Sequence, residues 1–431
     1  MSDTVAIDKL KIGMYIHLEL GWLAHPFPLS SFRIESADEI DKLRALGVRE
    51  LRWSPEKSLL GPAAAPPAGN AAADAAGAAE DTAAEADPQA RALAHQRECA
   101  LRCDRQYTEA AGSLRELMGL VRTDPEAAHH QCQALTRAML SKMLGQGEMC
   151  ILVLSSNAGE KPAAHPLNVA VVSLLMAQQF GMSEQEMHAI GMAALLHDLG
   201  KIDLPDRVHH NDDRLSSGEL SAYRDHVRLG VVHGQRMGLP QDVLAMIAQH
   251  HEHADGSGFP QRLVAERLSI GARLIALVNR FDNLCNPRHA ARALTPHEAL
   301  SRLFTQHRGK FDATILNAFI RMMGVYPAGS IVQLTDDRFA SVMQVNSSRP
   351  LKPRVLVHDE RVPRERALLL NLAEERELGI RRSLPSAQLP DAVREYLNPV
   401  RRLAYFFDSV ANLAAPAAPM TGWGTASAAA A

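Results

Sequence analysis

From about residue 91 to residue 325, apolar side chains recur at intervals of three and four, which commits the middle of the chain to helices. The repeat is plain over residues 114–120, 134–144, 169–180, 187–196, 243–248 and 313–323. Clusters of Gly, Pro, Asp and Asn separate these runs, notably LPDRVHHNDDRLSSGE and ADGSGFPQR. After Tyr326-Pro327 the period moves toward two, and GSIVQLTD, FASVMQVN and PRVLVHD predict three strands. Ahead of the helices, residues 36–46 predict an amphipathic helix stopped by Gly47, with strands near 14–20 and 50–53.

Two stretches offer little to bury. Residues 61–90 are about half alanine with interspersed Pro, Gly and acids, and predict a flexible linker. Residues 411–431 have a similar composition and predict a disordered tail. The expected organisation is therefore a small α+β N-terminal domain (1–60), the linker, and a helical connector (91–149). An all-helical domain (150–325) and a small β-rich C-terminal extension (326–410) follow, and the tail ends the chain. The expected class is multidomain and mainly α.

Charge narrows the function. A formal net charge of -3 gives no long-range pull toward nucleic acid or an anionic membrane, so any anion site must be local. Five cysteines without CxxC spacing argue against a disulfide scaffold or a cysteine-rich zinc site and suit a reducing cytosol. The first residues lack the features of a secretory signal, and the longest apolar runs fall short of the ~18 residues of a membrane span. A cytoplasmic location is expected.

The chemistry gathers in six residues of the helical region: His165, His197-Asp198, His226 and His250-His251. Imidazole and carboxylate suit borderline divalent metals. Adjacent ligands on a helix point about 100° apart, so each pair can reach two neighbouring ions in a groove. Any one of these histidines alone reads as a surface or hydrogen-bonded core residue. That reading is kept for His95, His188, His209, His210, His233, His253, His289, His297 and His307.

LLHDLGKIDLPD and HHEHADGSGFP closely resemble the two signature segments of HD-GYP phosphodiesterases, a branch of the HD-domain metal hydrolases. His226–Gly230 (HVRLG) and His165–Ala170 (HPLNVA) occupy the expected places, and the resemblance covers roughly residues 150–360. Residues 5–60 also resemble the small domain of unknown function that often precedes this catalytic domain. The resemblance implies hydrolysis of cyclic di-GMP to pGpG, and often on to GMP. It implies two divalent ions, iron or manganese, on His165, His197, Asp198, His226, His250 and His251, with Asp198 bridging them. Lys201 would stand near the attacking water and the scissile phosphate, Arg288 would grip phosphate, and Gly256 and Gly258 would belong to the substrate loop. Two cations together acidify and orient a water and neutralise charge growing on phosphoryl oxygens. The DGSGFP loop is a candidate contact for signalling-protein partners, and a homodimer is left open.

Three positions depart from the family pattern. The aspartate expected in the second metal site is Asn279, which offers a neutral oxygen; Asp282 is read as a hydrogen bond within its helix. A glutamate that holds a third metal in some members is Lys161, so two metals are the expected maximum. The GYP tyrosine is Phe259, the loop after it lacks its usual glycines, and Ala291 replaces a basic residue. Two rival readings remain open at this point, a non-catalytic nucleotide-sensing or protein-interaction module and a hydrolase of another phosphorylated nucleotide.

Overall fold

The computed structural model describes residues 3–18, 31–34, 36–55, 58, 88–145, 148–154, 163–209, 215–346, 349–397 and 402–413. The linker up to residue 87, Lys161 and the tail from residue 414 lie outside the described residues.

The N-terminal unit is a four-stranded antiparallel sheet with one helix. Strands β1 (Asp3–Ala6), β2 (Tyr15–His17), β3 (Ser31–Arg33) and β4 (Glu50–Trp53) lie in the order β1-β4-β2-β3. Helix α1 (Ala37–Ala45) starts in a capping box between Ser36 and Glu39. Gly47, with φ +70°, follows its C-cap, in the left-handed conformation that glycine accepts most readily. Ile16, Ile34, Leu43 and Leu51 fill a core of its own.

The connector is a hairpin of α2 (Pro88–Leu120) and α3 (Pro125–Leu144). Residues 88–90 thus open α2, where the sequence placed the end of the linker. The HD-like region follows as α4 (Ala164–Gln179), α5 (Glu184–Leu196), α6 (Ser217–Arg236), α7 (Gln241–Gln249), α8 (Ile270–Cys285), α9 (Pro296–Gln306) and α10 (Ala313–Met323). Helices α4 and α5 are buried almost all round, and α8 and α10 carry apolar faces against the same core.

A seven-stranded sheet flanks the helices. The predicted strands are β6 (Ile331–Leu334), β7 (Phe339–Asn346) and β8 (Arg354–Val357). Four more join them: β5 (Met149–Val153), β9 (Leu370–Asn371), β10 (Ile380–Leu384) and β11 (Tyr405–Ser409). Strand β5 precedes the helical region yet pairs with β7 and β11, so the sheet clasps the helices from both ends of the sequence. Helix α11 (Asp391–Leu397) precedes β11, and α12 (Val410–Leu413) runs into the first three residues expected to belong to the tail. Buried Asp408 of β11 anchors the connector: Arg102 of α2 reaches it at 3.1 Å and Lys142 of α3 at 3.9 Å. No helix among the described residues is long and apolar enough to cross a membrane.

Candidate metal centre

Each candidate ligand sits at or near a helix end or faces one. His165 is in the first turn of α4, His197 caps the C-terminus of α5, and His250 caps that of α7 with His251 next to it. Asp198 and Lys201 lie in the 3-10 turn Leu199–Asp203 and its N-cap, while His226 is mid-helix on α6. The 3-10 turn lies flush on α6 because Gly200 has no side chain. A Cβ there would stand 2.0 Å from the His226 carbonyl oxygen and 2.5 Å from the Gly230 nitrogen. That close approach brings Asp198 to His226.

The imidazoles are aimed by their Nδ1 atoms. The Nδ1–H of His197 donates to the Ala194 carbonyl at 2.8 Å and that of His250 to Ile247 at 2.7 Å; His226 does the same to Tyr223. His165 donates from Nδ1 to Asp282 Oδ2 at 2.6 Å. With Nδ1 protonated, each neutral ring presents a bare Nε2. Those bare nitrogens face one another in pairs, His165 to His197 at 3.2 Å and His226 to His250 at 3.3 Å. Two lone pairs at that distance repel unless a cation lies between them.

Asp198 joins the two pairs. Its Oδ2 is 3.6 Å from His165 Nε2 and 3.4 Å from His197 Nε2, while its Oδ1 is 3.4 Å from His226 Nε2 and 3.7 Å from His250 Nε2. Two donor groups result, His165, His197 and Asp198, and Asp198, His226, His250 and His251, with ligand atoms within 4.8 Å of one another in each. Asp198 Oδ1 is buried with no hydrogen-bond partner. An orphaned carboxylate oxygen between bare imidazole nitrogens is the donor set a divalent metal fits. Lys201 Nζ binds the other oxygen at 2.6 Å.

The electrostatics suit cation binding. Burial pushes His226 down to about 3 and holds His197 and His251 below the usual imidazole range, so these rings stay neutral. Burial also works against the Asp198 carboxylate, but Lys201 outweighs it and holds its pKa well below the ordinary value. Burial opposes the Lys201 charge, and Asp198 more than restores it.

Beside the cluster opens a cavity of about 410 Å³, lined by Lys201, Tyr223, His250, His251, Asn279 and Arg288 among others. Phe259 stacks on His251 with centroids 4.5 Å apart. Arg288 also donates to the Arg207 carbonyl at 3.3 Å. Gly256 and Gly258 are not among the residues lining this cavity; they line a separate surface recess with Arg224 and Arg262. Their role in the structure is conformational. Gly256 has φ +75°, and a Cβ on Gly258 would stand 2.4 Å from the His253 nitrogen.

Asp282 makes the hydrogen bond expected of it and has a second role as well. Its Oδ1 accepts from Asn286 at the end of its own helix and from Asn168 of α4, each at 2.8 Å, while its Oδ2 orients His165. His253, His289 and His307, read from sequence as ordinary histidines, line the cavity with Arg280 and Lys310. His233 holds Asp203, two residues beyond Lys201, at 2.6 Å, and Arg122 from the connector turn reaches Asp203 at 2.5 Å.

Residues 148–315 match the family model described as HD domain, and residues 2–141 match the domain of unknown function DUF3391, which extends past the N-terminal sheet through α2 and most of α3. The cyclic di-GMP phosphodiesterase PA4108 of Pseudomonas aeruginosa is 27% identical over 365 residues, covering 83% of this chain and 85% of its own length. The cyclic di-GMP phosphodiesterase response regulator RpfG of Xanthomonas campestris pv. campestris is 37% identical over 152 residues, 35% of this chain and 40% of that protein. Among solved structures, Bd1817, an HDG"Y"P protein from Bdellovibrio bacteriovorus, aligns over 74% of this chain and 98% of its own at 16% identity, with a TM-score of 0.39. The chain carries an HD domain behind a DUF3391 domain and is a relative of the HD-GYP cyclic di-GMP phosphodiesterases.

Proposed function

We propose that the protein is a metal-dependent phosphodiesterase that hydrolyses cyclic di-GMP to pGpG. The observation that carries this reading is Asp198, whose two carboxylate oxygens face two separate histidine pairs at the edge of a basic cavity. His165, His197 and Asp198 would hold one divalent ion; Asp198, His226, His250 and His251 would hold a second, with Asn279 as a further oxygen donor. Iron and manganese both match this nitrogen and oxygen set. When bound, such ions acidify water and neutralise charge on phosphoryl oxygens.

The chain's own groups do the rest. Lys201, charged and 2.6 Å from Asp198, offers its remaining N–H donors to a phosphate at the cavity mouth. Arg288 supplies a second cation along the wall. Asp282 fixes the tautomer of His165 so that Nε2 stays bare. Phe259 and Tyr223 pack against His251 and limit water on that side. The substrate assignment is supported by relatives whose names state cyclic di-GMP phosphodiesterase activity.

The full chain, purified without oxygen and loaded with Mn or Fe, is expected to convert cyclic di-GMP to pGpG. The product is read by chromatography alongside metal per chain. A fully loaded protein that makes no pGpG contradicts the reading.

A further inference from the structure

The cavity beside the metal centre holds more cations than one scissile phosphate requires. Lys201 stands next to Asp198. Arg280 of α8, with His307 and Lys310 from the segment between α9 and α10, lines the same 410 Å³ space. Neither Arg280 nor Lys310 has a side-chain hydrogen bond or an ion pair among the described residues. His307 Nδ1 is buried without a partner. Burial first, then Arg280 and Lys310, push that imidazole down to about 4. One carboxylate, Asp255, does sense Lys310, but it accepts from the Ser257 N–H at 2.9 Å and is not part of the cavity lining. Like charges that line a cavity with no carboxylate among the described residues of its wall repel one another, and an anionic ligand relieves that repulsion.

The geometry points to a second anion subsite, formed by Arg280, His307 and Lys310, that holds the phosphate of a cyclic dinucleotide that is not being cleaved. This rests on the phosphodiesterase reading above. A cyclic dinucleotide carries two phosphodiesters in one ring, so placing one beside Asp198 and Lys201 leaves the other anionic group inside the cavity. Arg280 offers a planar fork for its oxygens, Lys310 a point charge, and His307 one ring nitrogen. The subsite selects a substrate with two phosphates over one with a single phosphodiester.

The test compares Arg280→Gln, Lys310→Gln and the double variant in the metal-loaded full chain. KM for cyclic di-GMP is expected to rise at least about tenfold in the double variant, with a smaller change in kcat. The ratio of kcat/KM for cyclic di-GMP to that for bis(p-nitrophenyl) phosphate, which has one phosphate, falls in step. Arg308→Gln, which removes a cation stacked on Phe304 outside the cavity, leaves that ratio unchanged. Equal losses on both substrates, a loss confined to kcat, or no loss overturns the subsite. If the unaltered protein turns over neither substrate, the phosphodiesterase reading fails by itself, and calorimetric binding of cyclic di-GMP decides the subsite. Binding at least about tenfold weaker in the double variant supports it. An unchanged Kd, or no binding by the unaltered protein, overturns it.

Discussion

Asn279 is buried on α8, and its Oδ1 accepts from Asn283 Nδ2 at 2.6 Å while the residue lines the cavity. A carboxamide there brings an oxygen but no charge to a centre whose carboxylate is Asp198. Asn279→Asp is expected to tighten Mn binding by on the order of tenfold and to raise turnover with it, because hard and borderline ions favour an anionic oxygen. Metal titration followed by pGpG assay checks this; weaker binding in the variant shows that Asn279 does not face the metal. The six central ligand candidates were legible because their types and order are visible in the chain. Asp282 was not, because its partner His165 lies 117 positions away and only the packing of α4 on α8 brings them together.

At the scale of elements, four of the central six residues, His197, Asp198, His250 and His251, follow the ends of α5 and α7, where the helix has released the chain. The sequence reading placed both adjacent pairs on helices, since periodicity marks a helix more surely than its last residue. The 3-10 turn after α5 depends on Gly200. Gly200→Ala is expected to destabilise the protein by about 3 kcal/mol or more and to weaken metal binding, because the new methyl meets backbone on α6. Thermal unfolding and metal titration of this variant read both effects; a stable variant with native affinity shows that the turn can move without cost. The strands were less legible than the helices. Strand β5 reads MCILV, a continuous apolar run with no alternation because every residue is buried, and β11 is buried throughout in the same way. Such runs carry no period that distinguishes strand from buried helix.

Across the whole molecule, a chain with a net charge of -3 still lines one cavity with Lys201, Arg280, Arg288, Arg292 and Lys310, as a local anion site requires. The connector is tied to the sheet and to the helical region in part by polar contacts. Its helices are held to β11 through Asp408, and its turn reaches Asp203 and the Ile202 carbonyl, beside the Lys201 segment, through Arg122. The centre of the account is that Asp198 makes one two-ion site out of two histidine clusters. Metal per chain after saturation with Mn and removal of free ion tests this directly, in the unaltered protein and in His165→Ala, His251→Ala and Asp198→Ala. The expected result is about two ions in the unaltered protein, about one in each histidine variant and a loss of both in Asp198→Ala. Retention of the full metal content by Asp198→Ala, with its fold intact by circular dichroism, contradicts the account.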